Sequence, residues 1–185
     1  MKVEVGRVPG VLIIEPTVFA DARGFCFESW RRDAYREAGI REDFVQDNVS
    51  LSGRGVIRGL HLQHPDGQGK LVCVLQGEVL DVTVDVRVGS PWFGQSTEVC
   101  VSAGNHRQVY VPPGFAHGFQ VVSESALLVY KCTAYYRPDT ELSILWSDPD
   151  IGVRWPLANP IVSGRDSLGH RLNDVPSHLL PPYPG

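Results

Sequence analysis

The sequence predicts a single, mainly β domain built as a double-sheet jelly roll or barrel, with only a few short helices. Residues 79–88 alternate apolar and polar side chains almost without fault, which is the pattern of a strand whose two faces meet different surroundings. Nine short strand-like segments recur along the chain and are separated by Gly, Pro and Ser. Many short strands at such spacing are typical of double-sheet and barrel folds.

Each element has a local reason in the sequence. The predicted strands are residues 11–15, 25–30, 55–63, 70–75, 79–88, 96–102, 108–111, 118–122 and 126–134. Residues 31–39 are predicted to form the one clear helix, because Gly39 is a suitable stop after a charged outer face. The segment from about residue 148 is rich in proline, so we predict an irregular tail with room for one short helix. No repeat or low-complexity linker divides residues 1–185, which predicts one domain.

Composition excludes several classes of function. The chain has 185 residues, of which 43% are hydrophobic and 21% charged, with a formal net charge of −4, so the basic surface of a nucleic-acid-binding domain is not expected. No apolar run reaches the roughly 20 residues of a membrane helix, and the first ten residues lack the apolar core of a signal peptide. We expect a cytoplasmic protein that binds neither nucleic acid nor membrane.

Four cysteines, Cys26, Cys73, Cys100 and Cys132, are scattered without a Cys-x-x-Cys pair. Three of them lie in apolar strand-like runs. Such a distribution favours buried free thiols in a reducing compartment over a disulfide framework or a zinc site.

The segment Arg58-Gly-Leu-His61, followed by Lys70, has the strongest chemical content. Imidazole is suited to proton transfer near neutral pH, and two nearby cations suit an anionic substrate or a developing enolate. Arg58 and His61 are three residues apart, so a regular strand would place them on opposite faces. Either a bulge near Gly59 turns one side chain to the other face, or Arg58 contacts a phosphate of the substrate from another side or in another subunit's pocket. The set indicates proton abstraction beside a carbonyl on a phosphorylated small molecule.

Three further residues are candidates on weaker local evidence. His117 follows Pro113 in a spacing like the second motif of metal-binding cupins, but the first motif lacks its second histidine and its glutamate, so no metal or other cofactor is expected. Tyr130 lies in an apolar run, where packing and a role as general acid are equally compatible with its position. Asp166 lies in the irregular tail, where a turn-forming aspartate is the simpler interpretation.

These segments together resemble the family of dTDP-4-dehydrorhamnose 3,5-epimerases, which are metal-free, cupin-like sugar-nucleotide epimerases. The resemblance covers about residues 9–166 and rests on motifs in order: Phe19-Ala-Asp21-Ala-Arg23-Gly24-Phe25, Val45-Gln46-Asp47-Asn48-Val-Ser50, Arg58-Gly-Leu-His61-Leu-Gln63, Gln68-Gly-Lys70-Leu, Asp81–Arg87, Ser90-Pro-Trp-Phe-Gly94, Pro113-Gly-Phe-Ala-His117-Gly-Phe119, Tyr130-Lys131 and Ser147-Asp-Pro149. Single motifs are weak, whereas this ordered set is specific. It implies a cupin-like jelly roll and a homodimer acting on a dTDP-4-keto-6-deoxy sugar.

The resemblance also implies a role for each matching residue. His61 would remove the protons at C3 and C5 beside the C4 ketone, Asp166 would orient His61, Lys70 would stabilise the C4 enolate oxygen, and Tyr130 would return a proton from the opposite face. The positions that match substrate contacts are Arg23, Glu28, Gln46, Asp47, Asn48, Arg58, His117, Tyr136, Glu141 and Arg165. Of these, Arg23 and Arg58 would contact the diphosphate, and Tyr136 would stack on the thymine.

Three alternatives remain open at this point. Members of the family that invert only C3 or only C5 would carry the same residues, so the sequence does not separate them from a double epimerase. A metal-dependent cupin enzyme would use His61 and His117 as ligands. A non-catalytic sugar-nucleotide-binding or scaffold protein would show no turnover.

Overall fold

The computed structural model describes residues 1–184 and is dominated by short strands. The strands are β1 Lys2–Val5, β2 Leu12–Glu15, β3 Val18–Asp21, β4 Gly24–Phe27, β5 Gln46–Gly53, β6 Val56–Gln63, β7 Lys70–Gln76, β8 Glu78–Asp85, β9 Ser96–Ser102, β10 Gln108–Val111, β11 Phe115–Val121, β12 Ser125–Cys132, β13 Glu141–Ser143 and β14 Ile161–Val162. The helices are α1 Arg32–Glu37 and α2 Gly164–Ser167, and short 3-10 turns cover Leu172–Asp174 and Ser177–Leu179. Within residues 1–184, neither helix has the length or the apolar run needed to cross a membrane.

Two sheets form a cupin-like jelly roll. The first has the order β1-β2-β10-β7-β12-β5, and the second has the order β13-β6-β11-β8-β9, with β14 parallel to β6. Strands β3 and β4 form a separate two-stranded hairpin. The predicted mainly β, double-sheet class is therefore confirmed.

The tail covers the outer face of the second sheet, and the side chains on that face are apolar. The outward side chains of β8 are Val82 and Val84, and Val86 follows just after the strand. They pack with Leu172 and Leu180 from the tail. The alternate residues of β8, including Asp81, are also buried but face the space between the sheets. The alternation in residues 79–88 thus marks two buried faces, and the polar one points inward.

The outer face of the first sheet is covered over only part of its area. Helix α1 places Tyr35 on Ile14, Leu71 and Tyr110 at one end. Towards the β5 edge, Val49 and Leu51 remain exposed. This sheet therefore leaves an apolar strip on the molecular surface.

The predicted elements match in kind, with shifted ends and several omissions. The strand predicted at 25–30 ends at Phe27, the one predicted at 118–122 begins at Phe115, and the helix covers Arg32–Glu37. Strands β1, β3, β5, β13 and β14 were not predicted. The omission of β5 matters most, because its inward side chains line the cavity described below.

The expectation of buried thiols is wrong for two of the four cysteines. All four are free, but Cys26 and Cys100 are exposed, whereas Cys73 and Cys132 are buried. Cys26 lies on the β3–β4 hairpin, which pairs with neither large sheet, and Cys100 lies on the exposed face of the edge strand β9. An apolar run predicts a strand, but it does not say which of its residues face solvent.

Candidate active site

A cavity of about 660 Å³ lies between the two sheets. Eleven of the fourteen residues proposed from the sequence as catalytic or substrate-binding line it: Gln46, Asn48, Arg58, His61, Lys70, His117, Tyr130, Tyr136, Glu141, Arg165 and Asp166. They come from β5, β6, β7, β11, β12, β13, α2 and the loop after β12. The fold thus gathers residues up to 120 positions apart (Gln46 to Asp166) around one space.

A bulge at Gly59 places Arg58 and His61 on the same side of β6. Along β11 the pairing passes from His117 opposite His61 to Phe119 opposite Arg58, so β6 uses one more residue than its partner over this stretch. Gly59 has φ +121°, and a Cβ there would lie 2.5 Å from the Cα of Gly118. Only glycine fits such a close approach at positive φ. The departure from a regular strand predicted from sequence is confirmed.

His61 and Asp166 form a short, partly buried hydrogen bond. Nε2 of His61 lies 2.5 Å from Oδ1 of Asp166, and the backbone N–H of Gly59 donates to Oδ2 at 3.4 Å. Asp166 lies in α2, where its backbone N–H donates to the capping hydroxyl of Ser163. The capped turn therefore fixes the carboxylate against the histidine ring, 105 residues away in sequence.

The protonation of this pair follows from its geometry. Burial alone would raise the pKa of Asp166, but hydrogen bonds from His61 and from the backbone of Gly59 outweigh it and hold the pKa below its usual value. An ionised carboxylate only accepts hydrogen bonds, so Nε2 of His61 must carry the proton. In the neutral ring, Nδ1 is then the basic nitrogen.

A second carboxylate, Glu141, lies beside that basic nitrogen. Its Oε1 is 3.8 Å from Nδ1 of His61. Its Oε2 accepts a 2.7 Å hydrogen bond from the hydroxyl of Tyr136 and forms an ion pair with Arg165. The imidazole ring is therefore bracketed by two carboxylates, and Glu141 is held by two exposed side chains.

Lys70 and Tyr130 provide the other ionisable groups of the cavity. Burial lowers the pKa of Lys70, a shift that the neighbouring Cys132, Glu141 and Asp81 oppose. Burial raises the pKa of Tyr130, with Cys132 adding to the shift and Arg58 opposing it. The ammonium can thus respond to negative charge on a bound molecule, and the phenol stays protonated well above neutral pH.

His117 forms a second histidine–aspartate pair. Its Nε2 lies 2.8 Å from Oδ2 of Asp81, and both side chains are almost fully buried. Oδ1 of Asp81 has no hydrogen-bond partner among the described residues. Asp81 was missed as a site residue, because the alternation along β8 shows that its two faces differ but does not say which one meets the cavity.

Three proposed site residues lie outside the cavity. Arg23, whose side chain is 89% exposed, pairs with Asp21 on the β3–β4 hairpin, and Glu28 pairs with Arg31. Asp47 points to the outer side of β5, where it pairs with Lys131. Within one chain, none of these three residues lines the cavity in which a substrate would bind.

The cavity also contains polar residues that sequence reasoning did not assign, namely Ser50, Gln68 and Ser163. The buried hydroxyl of Ser50 has no partner within the described chain. No group of three or more His, Cys, Asp or Glu side chains suited to a metal ion occurs in residues 1–184.

Comparisons with known proteins agree on one family. Residues 6–174 match the family described as dTDP-4-dehydrorhamnose 3,5-epimerase. A protein of that name from Shigella flexneri is 49% identical over 177 residues, covering 95% of this chain and 98% of that protein. The crystal structure of a dTDP-6-deoxy-D-glucose-3,5-epimerase from Legionella pneumophila in complex with dTDP-4-keto-L-rhamnose superposes with a TM-score of 0.97 at 47% identity, over 100% of this chain and 99% of that chain. A 3'-monoepimerase from Streptomyces bikiniensis in complex with dTDP-quinovose is also similar, with a TM-score of 0.89 at 36% identity, over 97% and 92% of the two chains.

Proposed function

The chain belongs to the dTDP-4-dehydrorhamnose 3,5-epimerase family, and on that premise we propose how its own residues carry out the reaction. The activity is inversion of C3 and C5 of dTDP-4-keto-6-deoxy-D-glucose, giving dTDP-4-keto-L-rhamnose. The assignment of roles rests on the His61–Asp166 hydrogen bond, which engages Nε2 and leaves Nδ1 of His61 as the basic nitrogen. Lys70 and Tyr130 line the same cavity as His61.

Inversion of a carbon requires a base on one face of the sugar and an acid on the other. We assign the base to Nδ1 of His61, and Asp166 fixes its tautomer and stabilises the imidazolium that forms. We assign the acid to Tyr130, since its raised pKa keeps the phenol protonated until a proton is needed. His61 and Tyr130 lie on β6 of one sheet and β12 of the other, so they can approach a bound ring from different sides.

Lys70 supplies the positive charge that makes the protons on C3 and C5 acidic. A proton beside a ketone is removed easily only if the enolate oxygen is stabilised. An ammonium buried in the cavity wall interacts more strongly with a developing oxyanion than one in water does. We therefore place the C4 oxygen next to Lys70, between the base and the acid.

Polar residues at the rest of the cavity supply binding energy. Arg58, held by a 3.0 Å hydrogen bond from Nε to Ser52, keeps its terminal nitrogens for a phosphate. Gln46, Asn48, His117, Glu141 and Arg165 are proposed as further substrate contacts, and Tyr136 as a stacking surface for the thymine. Binding energy from these remote groups holds the sugar in the reactive position.

Incubation of the enzyme with its substrate in deuterated water, followed by NMR of the product, tests the proposal. The double epimerase places deuterium at both C3 and C5. Deuterium at only one carbon would identify a mono-epimerase, as in the Streptomyces bikiniensis relative, and deuterium at neither would exclude both.

We propose that the protein works as a homodimer whose hairpin completes the partner's cavity. The exposed Val49 and Leu51 form the apolar strip on the outer face of the first sheet, and they lie opposite the partly buried Val129 and Leu127. An exposed apolar strip of this kind fits a protein interface. The exposed Arg23, remote from its own cavity, is then available to a second copy of the chain.

Mixing two inactive variants tests this arrangement. If Arg23 acts in the partner's cavity, Arg23→Ala mixed with His61→Asn forms hybrid dimers in which one cavity has both native residues, so activity returns. If Arg23 acts in its own chain, each cavity keeps a defect and no activity returns. Analytical ultracentrifugation of Leu51→Glu checks the interface separately, with monomers as the expected result.

We also propose that the protein works in the cytoplasm. The support is chemical: all four cysteines are free, and two of them are exposed, which suits a reducing compartment.

A further inference from the structure

Double epimerisation with one base and one acid creates a proton problem between its two inversions. After the first inversion His61 holds one proton more than at the start, and Tyr130 holds one fewer. His61 cannot accept the second proton until it releases the first. An enzyme that completes both inversions therefore needs an outlet for a proton at Nδ1 of His61.

We propose that Glu141 is that outlet, a proton relay that resets His61 between the inversions. The proposal rests on the function proposed above. Glu141 is the carboxylate nearest Nδ1, at 3.8 Å, while Asp166 occupies the opposite nitrogen, Nε2. Protonation of Nδ1 adds an attraction between imidazolium and carboxylate that shortens this separation or draws in a bridging water.

The surroundings of Glu141 suit a group that carries a proton only briefly. Arg165 and the hydroxyl of Tyr136 both contact its Oε2, and this leaves Oε1 facing His61. The guanidinium stabilises negative charge on Glu141, so a proton received from His61 passes on to water. Tyr136 and Arg165 are about half exposed, so this carboxylate lies at the boundary between cavity and solvent.

The steps balance. His61 Nδ1–H⁺ gives its proton to Oε1 of Glu141, which becomes a carboxylic acid, and that acid gives the proton to solvent water. The tyrosinate of Tyr130 takes one proton from cavity water, and the hydroxide that remains is neutralised by the proton that Glu141 released to solvent. The enzyme returns to its starting protonation with no net proton gained or lost, and the singly inverted sugar remains bound for the second inversion.

Single-turnover measurement on Glu141→Gln, with enzyme in excess over substrate, tests the relay. Glutamine keeps the shape and can hydrogen-bond to Arg165, but it cannot carry a proton. The first inversion starts from the resting protonation state, so it should lose only what Glu141 contributes to substrate binding, and it serves as the internal reference for the second inversion. The second inversion should slow by at least about tenfold more than the first, but by less than the roughly 10²–10⁴-fold of a full acid–base group because water partly replaces the relay. A singly inverted sugar nucleotide should then accumulate, as seen by NMR of quenched samples.

The outcomes separate the relay from other roles. If Glu141 only binds substrate, both inversions slow together and no singly inverted species accumulates, which overturns the relay. Glu124→Gln, at an exposed carboxylate outside the cavity, is the matched control and should behave as the native enzyme does. Glu141→Asp keeps a carboxylate at a longer distance from His61 and should accumulate less intermediate than Glu141→Gln, and it serves in the same assay if Glu141→Gln does not fold. If the native enzyme itself labels only one carbon in deuterated water, the proposed function fails together with the relay; if it labels both and the variants show no intermediate, only the relay fails.

Discussion

Two histidine–aspartate pairs lie side by side in this molecule, yet their surroundings differ. His61 and His117 are direct partners across β6 and β11, and each bonds an aspartate through Nε2. The His61 side chain is 25% exposed and its Nδ1 faces Glu141, whereas His117 is 9% exposed and its aspartate is almost completely enclosed. The same chemical pair is therefore suited to proton transfer in one place and to fixed hydrogen bonding in the other.

The difference arises from where each aspartate lies. Asp166 belongs to a short capped helix at the edge of the cavity, so its histidine keeps one open side. Asp81 lies within β8, directly opposite Phe119 and two pairs away from the pair that contains His117, in the closed interior. Access to solvent and to a second proton acceptor, rather than the presence of an aspartate, distinguishes a base from a binding residue.

The largest effect is expected for His61→Asn. Removal of the only proposed base should lower kcat by about 10²–10⁴-fold, the range that a positioned acid–base group contributes. Steady-state kinetics measures this, and a circular dichroism spectrum equal to that of the native enzyme controls for folding. A loss smaller than tenfold would mean that another group removes the protons.

A smaller loss is expected for Asp166→Asn. An amide can donate to Nε2 and so favours the tautomer with its proton on Nδ1, which is the wrong one for a base there. We expect kcat to fall by about 10²-fold, the lower end of the acid–base range. An unchanged kcat with a raised KM would instead show that Asp166 only holds the substrate.

For His117→Asn the comparison predicts a binding defect and a loss of stability. Loss of one hydrogen bond, about 1 kcal/mol, should raise KM roughly fivefold with little change in kcat. Asp81 would be left buried without its partner, which should lower the free energy of unfolding by about 1–3 kcal/mol. Denaturant titration measures this, and the double variant His117→Asn with Asp81→Asn should recover part of the loss. A fall in kcat as large as that of His61→Asn would remove the distinction between the two pairs.

The smallest effect is a shift of the alkaline limb of the pH profile. Burial lowers the pKa of Lys70 and raises that of Tyr130. As pH rises, Lys70 therefore loses its charge first, below its usual pKa of about 10.4, and enolate stabilisation goes with it. Lys70→Arg keeps the charge, so the alkaline limb of kcat/KM should move to higher pH even if the neutral rate falls. A limb that stays in place would assign it to Tyr130 or another group.

How much of the fold and of the site could be predicted from sequence depends on how far apart in the chain the interacting residues lie. Alternation and turn residues predicted the strands around His61 and Lys70, and the parity of Arg58 and His61 predicted the bulge at Gly59. The inward direction of Asp81 could not be predicted, because alternation does not say which face meets the cavity and which meets the tail. The strand β5 was missed because its outward face, with Val49 and Leu51, is itself apolar and exposed, so only the resemblance identified its cavity residues Gln46 and Asn48.

Contacts made by the tail cannot be predicted from local sequence patterns. Only the resemblance to known epimerases assigned Asp166 to His61, since its neighbours predict a turn and nothing more. The bond between them joins residues 105 apart and depends on the packing of α2 beside β6.

The central claim is that His61, and not its neighbour His117, removes the protons at both carbons. Deuterium exchange at C3 and C5 of the substrate, followed by NMR with native enzyme, His61→Asn and His117→Asn in parallel, tests it most directly. We predict exchange at both carbons for the native enzyme and for His117→Asn at saturating substrate, and at neither carbon for His61→Asn. Exchange that persists at one carbon in His61→Asn would show that a second base exists and would contradict the claim.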